Sequence, residues 1–309
     1  ESQTAFISHE DLEIVNQNNS RFEEKHFRIL PNGIYAPMYE GRMVHNFDHC
    51  KKKYLRGEGR TAIWKDFLPD ERKKLQAHFY VCQKETKQES IYRLVFCDVT
   101  GATNERSSLG SIIGSKSLSG NSTPTLSFND NLQLFSFTAI INSFIFDYLA
   151  RFRVSTHLNY TYLSQIVNPT KIPNEIVSKI LQLTCTTPEL AELWEAEMHT
   201  PWSYKVSPTD LWERAKLRAE IDAIVAEMYN LTVEEYARVL TTFPLMDRKF
   251  TALEGDYFLT ETDASIKKKK KKDEGIHWIE NSAGVFELKP RSFITRDFAL
   301  FTYMQRKNY

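Results

Sequence analysis

The stretch LQLFSFTAIINSFIFDYLA, Leu132 to Ala150, constrains this chain more than any other. It is apolar enough to demand burial, yet it carries Gln133, Asn142 and Asp147. Such side chains are expensive in hydrocarbon, so a buried helix fits the stretch better than a membrane span. The helix is expected over roughly Asn131 to Arg153, with Arg151 and Arg153 placed to satisfy its last carbonyls. A chain of 309 residues is long enough for two domains, each with its own core.

Before this stretch the pattern is that of short strands broken by turns. PNGIYAPMYEG carries a Pro31-Asn32-Gly33 turn, an apolar run and then Gly41. IYRLVFCDV, Ile91 to Val99, alternates as a half-buried strand does, and DERKKLQAHF reads as a short charged helix after Pro69. Residues 110–129 are rich in Ser, Gly and Thr and read as an exposed loop. Beyond Pro173 the period becomes helical. Leu217, Ile221, Ile224, Val225 and Met228 share one helix face, and Asn230 suits a left-handed stop. Thr232 and Glu235 have capping-box spacing, Leu231 is placed to staple onto Tyr236, and Pro244 ends that second helix. Lys267 to Lys272 is an unbroken lysine run that reads as a mobile loop, because charges at that density repel. The expected class is therefore α+β: a connector over 1–26, a mixed β-rich domain over 27–173, a helical spacer over 174–250, and a C-terminal segment over 251–309.

Charge is even overall, with 40 Lys/Arg against 40 Asp/Glu, but it is unevenly spread. From Glu40 to Pro173 there are 18 basic against 12 acidic residues, and from Asn174 to Glu235 there are 5 against 12. A basic module followed by an acidic one is the reading. The four cysteines are scattered with no C-x-x-C pair, so a reducing cytoplasmic setting is expected rather than a disulfide framework. The chain opens at Glu1 with no signal peptide, which suggests a piece of a longer protein.

No phosphate-cradling glycine loop, G-x-S-x-G elbow or H-E-x-x-H zinc helix is present. The N-P-P-Y type of tetrapeptide with which amino methyltransferases grip a flipped base is absent too; Asn168-Pro169-Thr170 is its nearest echo. Three constellations are left. His45, Asp48 and His49 would suit a metal on a helix, but in a strand the two histidines stand roughly 13 Å apart. Glu287-Leu-Lys289, with Asp273 upstream, matches part of a metal-dependent nuclease signature, or is a plain surface strand. Cys97 beside Asp98 is either a nucleophile or an inert strand cysteine.

A gripping surface is better marked. Arg42, Lys51, Lys52, Lys53, Arg56, Arg60 and Lys65 cluster with Tyr54 and Trp64. Clustered cations neutralise phosphates and release counterions, which gives nucleic-acid affinity a steep salt dependence. The bland alternative is a solvated loop of ordinary charge.

The succession GIYAPMYEGRMVHNFDH, then YRLVFCDVTGATNERSSLGSII, then INSFIFDYLARFRV, resembles a region that follows the catalytic domain in large adenine-specific DNA methyltransferases. These are the single-chain restriction–modification enzymes (type IIG and type I single-polypeptide) and related phage-defence methyltransferases. The later RAKLRAEIDAIVAEMYNLTVEEYARVLTTFP is similar to those proteins as well, which commonly read LRAELDALVARLYGLT there. The resemblance covers roughly Gly33 to Phe243, most of the chain.

It implies that 27–173 is a DNA target-recognition domain. Such a domain reads a short duplex sequence and presents one adenine to an upstream methyltransferase domain, where S-adenosylmethionine binds and base flipping occurs. This segment would then hold no cofactor, metal or catalytic residue of its own, touch no membrane, and supply specificity rather than chemistry. Lys51, Lys52, Lys53, Arg56 and Arg60 are expected on phosphates; Arg42, His45, Asn104 and Arg106 on the DNA face; Arg151 and Arg153 beside it. The TNER turn has a structural alternative, in which it merely orders the chain after a strand. Two departures stand out: the family often reads F-R-D where this chain has Phe96-Cys97-Asp98, and its proline after Ile113 is replaced by Gly114-Ser115. The acidic helical segment, which phosphates would repel, is expected to pack on the recognition or catalytic domain. A nuclease around Asp273, Glu287 and Lys289, or a protein-interaction module, are the competing readings.

Overall fold

Asn142 and Ser143 break the long apolar stretch into two helices, α1 (Asn131–Ile141) and α2 (Phe144–Arg151), bent by 64°. This corrects the single helix expected there, and the cause lies at a distance. The Asn142 side chain accepts from Gly110 N and donates to Gly110 O, at 3.0 and 2.8 Å, so it pairs with a strand like a backbone unit. Ser143 caps α2 by accepting from Phe146 N, while the buried Asp222 carboxylate accepts Phe144 N at 2.9 Å. Free N–H groups of a new helix start are thereby satisfied.

The computed structural model describes residues 6–8, 21–22, 28–30, 33–68, 71–82, 91–166, 169, 173–243, 259–261, 276–280, 286–290, 296 and 298–308. The protein is α+β. Its first sheet holds β1 (Phe6–Ser8), β2 (Arg21–Phe22), β3 (Arg28–Leu30) and β4 (Gly33–Tyr39). A separate two-stranded ribbon follows, β5 (Lys52–Arg56) and β6 (Ile63–Asp66). Then come β7 (Phe79–Cys82), β8 (Arg93–Phe96), β9 (Gly110–Ile113), β10 (Leu118–Ser119) and β11 (Thr125–Leu126). Strand order in the first sheet is β1-β7-β4-β3-β2, with β10 parallel to β4, and a second sheet runs β11-β8-β9.

The second sheet is covered on both faces. Leu94, Phe96 and Ile112 join the main core with α1 and α2, while Val95, Cys97 and Ile113 join a smaller core with Tyr35, Tyr39 and Tyr80. So β8 is fully buried rather than half-buried. Residues 110–129 are likewise no exposed loop, for β9 is wholly buried. Gly110 explains the tight fit: a Cβ there would meet Val95 O at 3.0 Å and Ile141 Cγ2 at 3.2 Å. Residues 71–78 are not helical either. Leu75 and Ala77 are buried at a spacing of two, and Gln76 O accepts Tyr54 N, which is extended-chain behaviour.

After the one-turn α3 (Tyr160–Leu163), the helices α4 (Glu175–Thr184), α5 (Ala191–Met198), α6 (Leu211–Met228) and α7 (Val233–Thr241) complete the main core. That core runs without interruption from β8 and β9 through α1 and α2 into α4, α6 and α7. The helical hairpin is as the sequence predicts. Asn230 has φ 54°, and Thr232 and Glu235 form the reciprocal capping box at 3.2 and 2.8 Å. Ile221 to Ala226 are all buried, so the middle of α6 is covered on every side. The remaining strands β12 (Leu259–Glu261), β13 (Ile276–Glu280) and β14 (Phe286–Pro290) form a third sheet, and α8 (Phe298–Arg306) packs on α6 and α7. Pro244 and the lysine run 267–272 lie outside the described residues. No single helix among the described residues is long and apolar enough to cross a membrane.

Candidate nucleic-acid interface

The β5–β6 ribbon gathers most of the basic residues. Lys52 pairs with Asp66, Lys53 with Lys65, Tyr54 with Trp64 and, across a bulge, Arg56 with Ile63. Alternation turns Tyr54 and Trp64 inward, leaving Arg56, Ile63 and Lys65 exposed. The inward face is braced: Tyr54 stacks on the buried His78 ring with centroids 4.3 Å apart, and Trp64 meets Tyr54 edge-on at 5.6 Å. The Tyr54 hydroxyl donates to Gly57 O at 2.5 Å, where the chain turns with φ 87°. Gly57 is required there, since it combines a left-handed φ with a Cβ position 3.0 Å from Thr61 O.

Arg42 belongs to this surface as well, for its guanidinium donates to Ala62 O at 3.3 Å near the ribbon tip. Lys51 is partly exposed and lies 3.7 Å from Asp66; Lys53 is more covered, pairs with Glu71 and rests 4.7 Å over the Phe67 ring. Arg60 sits in the turn Gly59–Thr61 that joins the strands, and its side chain is outside what the structure describes.

The TNER turn forms a second group. Asp147, fully buried, accepts from Arg106 Nε at 2.7 Å, from Arg151 Nε at 3.0 Å and from Ser107 N. Arg106 also donates to Asn142 O at 2.6 Å, and Arg151 to the carbonyls of Asn104 and Glu105. Both guanidiniums lie over aromatic rings, Arg106 at 4.3 Å from Phe144 and Arg151 at 4.4 Å from Phe243. These two arginines thus shape the turn, while Asn104 and Arg153 stand exposed. Sequence reasoning missed the organiser, Asp147, whose signal was its presence in an otherwise apolar helix.

The histidine motif resolves into three separate jobs. His45 is exposed and its backbone pairs with Asp48 across a tight turn. In that turn Phe47 is held at φ 58°, unusual for a bulky residue, by burial and by Phe47 N donating to Gly110 O. The Asp48 carboxylate accepts Cys50 N and pairs with Lys73; burial pushes it up, but Lys73 and Arg214 outweigh that and hold it well below the usual carboxylate range. His49 is buried, with Nδ1 2.5 Å from the Tyr39 hydroxyl and Nε2 2.9 Å from Thr187 Oγ1, so it ties β4 to the helical part. No cluster of three His, Cys, Asp or Glu suited to a metal occurs among the described residues.

Cys97 is buried, donates weakly to Gly41 O and Val44 O, and burial pushes its thiol up to about 12, so it is not an activated nucleophile. In the backbone register Glu287 pairs with Ile279 and Lys289 with His277 of β13, while Asp273 lies outside the described residues. Comparison with models of protein families, with curated proteins and with solved structures finds no match.

Proposed function

We propose that this chain is the duplex-recognition segment of an adenine-N6 DNA methyltransferase of a restriction–modification or phage-defence system. The observation that carries the reading is the braced basic ribbon. A two-stranded ribbon fits the roughly 12 Å wide major groove, and several DNA-binding folds read sequence in that way. Here Arg56 and Lys65 face outward beside Ile63, and Arg42 contacts the tip. Lys51, Lys52, Arg56 and Arg60 are the phosphate contacts of this reading, Lys53 being held by Glu71, and side chains near the tip reach base edges.

Arg106 and Arg151 act indirectly, holding the TNER turn so that Asn104 and Arg153 face outward. The resemblance of the blocks from Gly33 to Phe243 supplies the enzyme class. In that reading S-adenosylmethionine and the flipped adenine belong to an upstream domain, no step occurs in this segment, and the setting is cytoplasmic. Titrating duplex binding against salt tests the proposal. Binding that weakens steeply with salt, and weakens further when the ribbon charges are removed, supports it; affinity indifferent to both refutes it.

A further inference from the structure

A pocket of about 140 Å³ opens between the β-rich part and the helical part. That is about ten times the space one water needs, so it has room for a small ligand. Its walls come from both sides: Phe67, Glu71, Arg72 and Lys73 with Asp48 and Lys51 on one, and Tyr204 and Ser207 with Arg214 on the other. Tyr204 fixes their spacing, for its hydroxyl donates to Lys73 O at 3.2 Å.

The charges in this pocket do not cancel. Four cations line it, Lys51, Arg72, Lys73 and Arg214, against the carboxylates of Asp48 and Glu71. Asp48 is held by Lys73, and Glu71 by Lys53 from outside the pocket. Arg214 donates its hydrogen bonds to Ser207 Oγ, Pro208 O and Leu183 O, and burial lowers its pKa although the Asp48 carboxylate opposes that shift. Arg72 is exposed and lies 5.5 Å over the Tyr204 ring. Arg72 has no carboxylate within ion-pair distance among the described residues, whereas Arg214 shares the field of Asp48 with Lys73. A guanidinium placed as Arg72 is matches the fork geometry of phosphate oxygens.

We infer that the pocket binds a phosphate group, on Arg72, Lys51 and the field of Arg214, with the apolar part of the ligand against Phe67 and Tyr204. The inference shares Lys51 with the ribbon's reading but stands on Arg72 and Arg214, which that reading does not use. Two sources share the chemistry, a free nucleotide and a DNA backbone phosphate.

Calorimetric titration of the full chain with inorganic phosphate and with adenosine monophosphate is the test. Both should bind, the nucleotide more tightly. Arg72→Ala should weaken each by about tenfold or more, the usual cost of a charge-assisted bond. Arg238→Ala, at an exposed position of α7, should leave both unchanged. Because Arg72 is exposed, the variant's urea midpoint should match that of the parent, so lost binding would not reflect lost folding. Displacement of the nucleotide by duplex assigns the site to a backbone phosphate, and retention on duplex assigns it to a free nucleotide. No binding of either probe at millimolar concentration, or binding equal in Arg72→Ala, overturns the inference.

Discussion

Replacing Asp147 with alanine should destabilise the fold far more than any change on the ribbon. The carboxylate is fully buried and accepts from Arg106 Nε, Arg151 Nε and Ser107 N. The two arginine side chains are only 12% and 14% exposed, so they cannot simply turn to water. Removing one partner from a buried ion pair typically costs about 3–5 kcal/mol, because the remaining charge is stranded. Two stranded guanidiniums and an unpaired N–H place Asp147→Ala in the upper part of that range. Asp147→Asn keeps one acceptor oxygen and should recover part of the loss. Arg153→Ala, on an exposed side chain, should stay within about 0.5 kcal/mol. Urea denaturation followed by far-UV circular dichroism reads all three. A loss below about 1 kcal/mol in Asp147→Ala would refute the claim that this carboxylate organises the TNER turn.

Gly110→Ala should cost about 1–3 kcal/mol through overpacking, since the new methyl meets Val95 O and the Leu94 and Ile141 side chains; an unchanged urea midpoint would show that β9 can shift. Burial raises Glu189 to about 7 and Asp222 to about 6, so the folded state binds more protons than the unfolded chain above pH 4. Stability should therefore fall as pH rises from about 4.5 to 7, and Glu189→Gln should flatten that slope; an identical pH profile would rule Glu189 out as its source. The four cysteines are buried, and burial pushes Cys97 and Cys185 up to about 12, so native protein should resist thiol labelling until denatured. Rapid stoichiometric labelling at neutral pH would contradict this.

Local signals were legible where local chemistry decides. Asn230 and the Thr232–Glu235 box fixed the helical hairpin because every partner lies within a few residues. The ribbon's charges were legible as a cluster because the strands are neighbours in sequence. Long-range partners hid the rest. The break at Asn142 depends on Gly110 and Asp222, which lie far away in sequence. Residues 71–78 look helical by charge, but Lys73 and Glu71 are drawn to Asp48 and Lys53, and Leu75 and Ala77 are buried at strand spacing. Residues 110–114, Ser117 and Thr123 are buried within the polar stretch because their polar groups find partners: Gly110 pairs with the Asn142 side chain, and the Thr123 hydroxyl donates to Tyr39 O. The anion-matching pocket went unseen for the same reason, since Arg214 sits in a segment whose composition is acidic.

The most direct test of the central claim is the salt dependence of duplex binding by the full chain. Each phosphate neutralised contributes about 0.9 to the slope of log affinity against log salt, so the four contacts Lys51, Lys52, Arg56 and Arg60 predict a slope of about −3.6. Lys52→Ala and Arg56→Ala should each reduce it by about one and weaken binding to all sequences alike. A shallow slope, or one that these substitutions leave in place, would contradict a DNA-reading ribbon.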